Sequence, residues 1–158
     1  MLTVFYCEDC IYVSFVHWAL TYEQKIKDSV DYIKQANLYR KTGGSDCYYG
    51  HGRVADPTAQ AVVTADTEVR QCYIADGDGV RRIIFPERWL AVTAELWRRY
   101  AGTKTAEYML LRYRQGLDAR RICKLLCLTI DEYRRMGGEI RLAGESLAVA
   151  AGAMRAKR

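Results

Sequence analysis

Basic side chains are concentrated near the C-terminus, in a stretch where apolar residues recur at regular intervals. Residues 111–134 read LRYRQGLDARRICKLLCLTIDEYR. Arginine forks suit phosphate oxygens and base edges, so this composition is suited to nucleic-acid binding. The same pattern is typical of a buried helical hairpin with a solvated charged face. The stretch is therefore either a helical hairpin or a helix-turn-helix that presents its second helix to DNA. The positions of the helices that carry these side chains distinguish the two.

The charge of the chain is unevenly distributed. Residues 1–78 contain seven Lys/Arg and eleven Asp/Glu, a net −4, whereas residues 79–158 contain seventeen and eight, a net +9. A basic half beside an acidic half indicates a polyanionic partner for the basic half, although a solvated helical surface accounts for the charge equally well. We therefore predict two domains in a mainly α protein. Residues 1–78 form a helical module with a Gly-rich loop at about 41–56, and residues 79–158 form the helix-turn-helix domain.

Several helices are expected before the basic stretch. A helical pattern runs over about residues 21–39, and residues 11–20 form either a preceding helix or a strand. Asp56 and Pro57 have the residue types of an N-cap and a first helical position, which predicts a helix through about Tyr73. The alternative around DGDG (residues 76–79) is a β-hairpin with CYI and VRRIIF as its strands. Pro86 opens a further helix to about residue 100. Trp89 and Trp97 lie on its apolar stripe and are predicted to be core residues.

The capping residues divide the C-terminal stretch into three helices. Thr103 or Thr105 caps the first, and Gly116 supplies its left-handed end. Asp118 caps a short second helix over residues 119–126. Thr129 and Glu132 have the spacing of a capping box, which starts the third helix at residue 130.

A helix-turn-helix places further demands on these helices. The second helix needs apolar residues that face the third, and these are Ile122, Leu125 and Leu126. The turn needs a small residue that tolerates an unusual backbone conformation, a position that Cys127 occupies. Tyr133 is predicted to point inward from the third helix.

The outward-facing residues are the candidates for DNA contact. Arg134 and Arg135 are placed to contact base edges or phosphates in the major groove, and Ile130 and Asp131 to contact a thymine methyl and a cytosine amine. Four basic residues of the two preceding helices are placed to follow the phosphates, or are solvated: Arg112, Arg120, Arg121 and Lys124. The full predicted DNA-binding set is Arg112, Arg120, Arg121, Lys124, Thr129, Ile130, Asp131, Arg134, Arg135 and Arg141.

Two adjacent glycines interrupt the predicted recognition helix. Gly137 and Gly138 together lower its helix propensity by about 2 kcal/mol. Two alternatives follow. The helix ends after two turns, or the glycines allow close approach to the DNA backbone or to another helix.

The C-terminal motif resembles region 4 of sigma-70 factors. Leu111, Arg112, Tyr113, Gly116, Leu117, Ile122, Leu126, Leu128 and Thr129 match its pattern. Arg121, Cys123 and Cys127 replace the usual Glu, Ala and Gly. Over about residues 20–150 the chain resembles phage-encoded transcriptional regulators of the ArpU/RinA type, through TYEQKIKDSVDYI, GHGRVADPTAQ and PERWLAVTAELW. The resemblance implies sequence-specific binding to double-stranded DNA and control of phage late or packaging genes.

The remaining expectations concern chemistry and partners. His17 and His51 have no recognisable catalytic partner motif, so we expect no enzymatic activity and no cofactor. Cys7 and Cys10 form a C-x-x-C that could bind zinc with Cys47 and His51, although a second close pair is missing. We expect a cytoplasmic protein with reduced cysteines and no membrane span. Double-stranded DNA is the expected partner, with a homodimer as the expected assembly and RNA polymerase as a further candidate partner. The alternative is a phage packaging adaptor of the small-terminase kind, which uses its helix-turn-helix for oligomerisation or non-specific DNA binding.

Overall fold

A computed structural model describes residues 14–42, 67–77 and 79–155. The described chain is mainly helical, with one small two-stranded antiparallel sheet, and every peptide bond described is trans. In chain order the elements are α1 (Phe15–Thr21), α2 (Glu23–Thr42), β1 (Gln71–Asp76), β2 (Gly79–Ile84), α3 (Pro86–Tyr100), α4 (Lys104–Met109), a π-helical turn (Leu110–Arg114), α5 (Ala119–Leu126) and α6 (Ile130–Ala150).

The chain forms two compact units. One unit is Gln24–Glu87, and the other combines Met1–Glu23 with Arg88–Arg158. We call the second the helical unit, because all its described elements are helices. The predicted division into domains at residues 1–78 and 79–158 stays a prediction.

The Gln24–Glu87 unit contains the hairpin of β1 and β2. Tyr73 pairs with Arg82 across the ladder, and Cys72 pairs with Ile83. Cys72 and Ile83 are buried, whereas Tyr73 and Arg82 are exposed, as expected for a ribbon whose side chains alternate between two faces. The N–H of Val69 donates to Glu87 Oε2 at 2.7 Å, which ties the chain before β1 to the residues after β2.

The predicted helix through Tyr73 is therefore wrong at its C-terminal end. Residues 68–70 are not helical, and Tyr73 lies in β1. Cys72 and Ile74 are buried two residues apart, so the period-2 burial of the hairpin prevails over the weak helical stripe. The hairpin that we held as the alternative is what forms, so residues 1–78 are not helical throughout. The predicted start of that helix, at Asp56 and Pro57, lies outside the described residues.

The apolar stripe of α3 forms as predicted. Trp89, Val92 and Leu96 are buried, and Thr93 is buried among them. Trp97 is half-buried, and its Nε1 donates to Glu23 Oε2 at 3.1 Å. The hydroxyl of Thr93 donates to the other oxygen of the same carboxylate at 3.0 Å. Glu23 thereby accepts hydrogen bonds from two side chains of α3.

Other predictions fall on residues that the structure does not describe. These are the candidate zinc ligands Cys7, Cys10, Cys47 and His51, and most of the Gly-rich loop. Among the residues described, no helix combines the length and apolar character needed to cross a lipid bilayer.

Candidate nucleic-acid interface

Local capping determines where α5 begins and ends. Gly116 has φ +65°, the left-handed conformation predicted for the end of the preceding helix. The Asp118 side chain accepts a hydrogen bond from the N–H of Arg121 at 2.8 Å, which satisfies a donor in the first turn of α5. At the other end Cys127 adopts φ 49° and ψ 52°, and its N–H donates to the carbonyl of Cys123. The predicted caps and the unusual conformation at Cys127 are confirmed.

A reciprocal capping box starts α6. The N–H of Glu132 donates to Thr129 Oγ1 at 3.2 Å, and the N–H of Thr129 donates to Glu132 Oε2 at 2.8 Å. Hydrogen bonds from the backbone and side chain of Thr129 hold the pKa of Glu132 below its usual value. The first turn of α6 is therefore determined by residues 129–132 themselves.

The side chains predicted to read DNA are exposed on the first two turns of α6. The side chain of Asp131 is 88% exposed, that of Arg134 66% and that of Arg135 70%. Ile130, a large apolar residue, is also exposed. This end of α6 thus presents charged and apolar groups to solvent together.

Several basic residues already have acidic neighbours on their own helix. Arg134 lies 3.7 Å from Asp131, and Arg135 lies 3.9 Å from Glu139. Arg121 and Arg141 are likewise 3.9 Å from Asp118 and Glu145. Exposed pairs of this kind contribute about 0–1 kcal/mol each. Phosphate groups can therefore compete with these carboxylates for the guanidinium groups.

The inward face of this segment is an apolar and tyrosine core. Ile122 of α5 and Tyr133 and Ile140 of α6 are buried, as predicted for the first two. The Tyr133 ring meets the Tyr108 ring at a centroid distance of 5.1 Å and an angle of 62°. Leu125 is 62% exposed, so its predicted place in this contact is wrong. The buried face of α5 centres on Ile122, and Leu125 lies beyond its edge.

The two glycines do not end α6, which is continuous to Ala150. A Cβ on Gly137 would lie 3.0 Å from the Tyr108 hydroxyl oxygen, so this glycine permits close packing against α4. A Cβ on Gly138 would meet nothing within 4 Å. The alternative of a helix that stops after two turns is wrong, and close approach to another helix is what the structure shows at Gly137.

Arg112 lies apart from the other predicted contacts. It is half-buried among the rings of Tyr108, Tyr113 and Tyr133, and its Nη1 donates to the Tyr108 hydroxyl. By contrast, Arg120, Arg121 and Lys124 of α5 are exposed. The ten predicted contact residues therefore include nine on or beside α5 and α6 and one that is held within the tyrosine core.

His17 is a residue of the same core that the sequence did not single out. It is 3% exposed, and its Nδ1 is hydrogen-bonded to the Tyr113 hydroxyl at 2.5 Å. Burial and the nearby charges of Arg112 and Arg141 lower the pKa of His17 to about 4. The two partners are 96 residues apart in the chain, so no local spacing signals the contact.

No set of three or more His, Cys, Asp or Glu side chains in the described ranges is arranged to hold a metal ion. Comparison with protein-family models, with curated proteins and with solved structures gave no match to this chain. The family resemblance of the C-terminal motif therefore stays a prediction.

Proposed function

We propose that this protein is a sequence-specific double-stranded DNA-binding transcriptional regulator of the phage ArpU/RinA type. In this proposal α5, the turn at residues 127–129 and α6 act as a helix-turn-helix similar to sigma-70 region 4. The first two turns of α6 enter the major groove, and no cofactor is required.

The observation that carries the proposal is the exposed start of a firmly capped helix. The capping box fixes the first turn of α6, and Tyr133 anchors that turn in the core. Ile130, Asp131, Arg134 and Arg135 are exposed on the same two turns of the helix. A rigid helix end that offers guanidinium, carboxylate and apolar groups together is suited to reading base edges.

The charge of α5 supports a contact with the DNA backbone. Arg120 and Lys124 are exposed, and neither has an ion pair within the described part of the chain. Together with Arg121 they give α5 three cations beside the start of α6. Such cations bind phosphates without sequence preference, and they fix the register of the helix that reads the bases.

Fluorescence anisotropy across a salt series tests the proposal. The probes are duplex fragments from the genomic neighbourhood of the coding sequence and a scrambled duplex. The test variant is Arg134→Ala/Arg135→Ala. The matched control is Arg98→Ala/Arg99→Ala, which removes the same charge from an exposed part of α3.

Sequence-preferring binding by the wild type should weaken roughly 10- to 100-fold in the test variant, because each good base contact is worth about 1–3 kcal/mol. The control should retain its sequence preference. Weak binding that is equal on all duplexes and unchanged in the test variant would overturn the proposal.

One exposed apolar surface bears on the choice between a regulator and the alternative, a packaging adaptor. Leu142 is 60% exposed and Val149 is 37% exposed, and residues seven apart lie on the same face of a helix. This face suits self-association, which both the regulator and the adaptor would use. Light scattering distinguishes them, since a regulator that reads paired half-sites is expected to be a dimer and an adaptor a larger ring.

A further inference from the structure

Arg112 is held in a fixed position by aromatic rings. Its guanidinium carbon lies 5.7 Å from the ring centre of Tyr108, 5.5 Å from that of Tyr113 and 5.3 Å from that of Tyr133. A Cβ on Gly137 would lie 3.3 Å from Arg112 Nη1, so the backbone of α6 also passes close to it. Contacts with three rings and one hydroxyl leave the side chain little rotational freedom.

The positive charge of Arg112 has no compensating anion in the described residues. None of their carboxylates lies within ion-pair distance of it, whereas Arg98, Arg121 and Arg134 each have one. Two of the three surrounding phenols do not supply negative charge. Burial raises the pKa of Tyr108 to about 12 and raises that of Tyr113 still further, so both stay neutral near pH 7.

The unused edge of Arg112 reaches solvent. Among the described residues that are not themselves exposed, His17 Nε2 is the one fully buried side-chain nitrogen or oxygen without a hydrogen-bond partner. Arg112 has its described hydrogen bond through Nη1, to Tyr108. Its Nε and Nη2 groups have no acceptor among the described residues, and neither is fully buried. These two N–H groups form the parallel pair that binds phosphate or carboxylate oxygens in a bidentate manner.

We infer that Arg112 is a preorganised binding site for a single phosphate group, which it grips through the Nε and Nη2 edge. The inference rests on the proposed function for the source of the ligand, a backbone phosphate of the duplex beside α6. Tyr108, Tyr113 and Tyr133 act as positioning residues that hold the guanidinium in its binding orientation. A side chain fixed before binding loses less entropy when the phosphate arrives, which strengthens the contact.

This assignment gives Arg112 a role different from that of Arg134 and Arg135. A phosphate contact carries no sequence information, so Arg112 should contribute affinity equally on every duplex. It should also set the orientation of α6, because the guanidinium packs on Tyr133 of that helix. Loss of the contact should therefore lower affinity and salt dependence while preserving the ratio between preferred and scrambled duplexes.

The first arm of the test needs no substitution. The full-length chain, labelled with ¹⁵N, is titrated with inorganic phosphate and separately with a short duplex, and the Arg112 Nε–H resonance is followed by NMR. Assignment uses Arg112→Lys, which keeps the charge and removes the fork. We expect the Arg112 signal to shift with both ligands, and to shift more than the signal of exposed Arg99.

The second arm measures duplex binding by Arg112→Gln and Tyr108→Phe across a salt series. The slope of log affinity against log salt should fall by about 0.9 in Arg112→Gln, the value for one lost phosphate contact. Tyr108→Phe keeps the ring and removes the hydroxyl that accepts from Nη1, so it should weaken binding by a smaller factor. Circular dichroism verifies that each variant is folded before its affinity is compared.

The outcomes separate this inference from the proposed function. An Arg112 signal that responds to neither phosphate nor duplex overturns the inference, even if the chain binds DNA. A signal that responds to phosphate, in a chain that binds no duplex, supports the site and overturns the proposed function. An unchanged salt slope in folded Arg112→Gln would also contradict the assignment to a duplex phosphate.

Discussion

The two halves of α6 differ in the side chains that they expose and in how closely they pack against other helices. Over residues 130–137 the helix exposes charged side chains and contacts the core through Tyr133 and Gly137. Over residues 138–150 it is packed through Ile140, Gly144 and Ala148, which are all buried. A Cβ on Gly144 would lie 2.3 Å from Val16 Cγ1, which shows how closely α1 approaches this half. A helix can thus present one end to a partner when its other end is closely packed.

The largest expected effect tests how firmly the second half is anchored. Gly144→Ala should lower the free energy of unfolding by about 3 kcal/mol, because the new methyl group overlaps Val16 and approaches Leu96 Cδ1 to 3.2 Å. Gly138→Ala is the matched control on the same helix, where a methyl group meets nothing within 4 Å. It should stabilise the protein by about 0.5–1 kcal/mol through helix propensity. Urea unfolding measures the change in the free energy of unfolding for both variants. If Gly144→Ala changes it no differently from Gly138→Ala, Gly144 is not the anchor.

His17 makes the core beneath α6 sensitive to acid. Its pKa is about 4 in the folded protein, below the value of 6.5 for an unperturbed imidazole. The unfolded chain therefore binds the proton more readily, and stability falls as the pH drops from about 6.5 towards 4. Between pH 7.5 and pH 4.5 the loss from this group should be about 2–3 kcal/mol.

Urea unfolding of the wild type and of His17→Gln at the two pH values measures that loss. The carboxylates of the protein contribute to the pH dependence of both proteins, so the difference between them isolates the imidazole. If both lose the same stability on acidification, His17 is not protonated on unfolding in this range. Such a result would show that His17 does not make the core beneath α6 sensitive to acid.

The exposed first half depends on its capping box. Thr129→Ala removes the oxygen that accepts from the N–H of Glu132, and should lower stability by about 1 kcal/mol. Thr105→Ala is the control, because Thr103 rather than Thr105 caps α4. Thermal unfolding compares the two, and anisotropy then shows whether the cap also matters for DNA binding. A change at Thr105 as large as that at Thr129 would indicate a general effect of removing threonine.

The smallest effect is expected at the turn before α6. Cys127 has φ 49°, a conformation that disfavours residues with a Cβ. Cys127→Gly should stabilise the protein by roughly 0.5–1 kcal/mol, because glycine adopts this conformation without strain. Cys127→Ala should not, since alanine retains the Cβ. A stabilisation shared by both variants would point to the thiol rather than to the backbone.

Part of the candidate site was predictable because it depends on contacts within one helical turn. Asp118 accepts from a backbone N–H three residues away, and Thr129 and Glu132 cap each other over the same distance. The left-handed positions at Gly116 and Cys127 follow from the ends of the helices beside them. Local chemistry of this kind is present in the sequence itself.

Other predictions failed where distant residues decide the structure. Tyr73 was placed in a helix, but the pairing of β1 with β2 makes it part of a strand. The two glycines left open an early end to α6 or a close approach to another helix, and only the packing of Gly137 against Tyr108 decides for the close approach. The surroundings of Arg112 also depend on distant residues, since its guanidinium lies among the rings of three tyrosines, while its predicted phosphate contact stays a prediction.

The sequence by itself determined the mainly helical character, both ends of α5, the start of α6, and the residues that α6 exposes there. Only the tertiary structure decided that His17 contacts Tyr113, that Gly144 packs closely against Val16, and that Arg112 lies among tyrosines with no ion pair to a described residue. The physical reason is the range of the forces involved. A cap or a turn is stabilised by neighbours along the chain, whereas burial and close packing depend on which distant side chains the fold brings together.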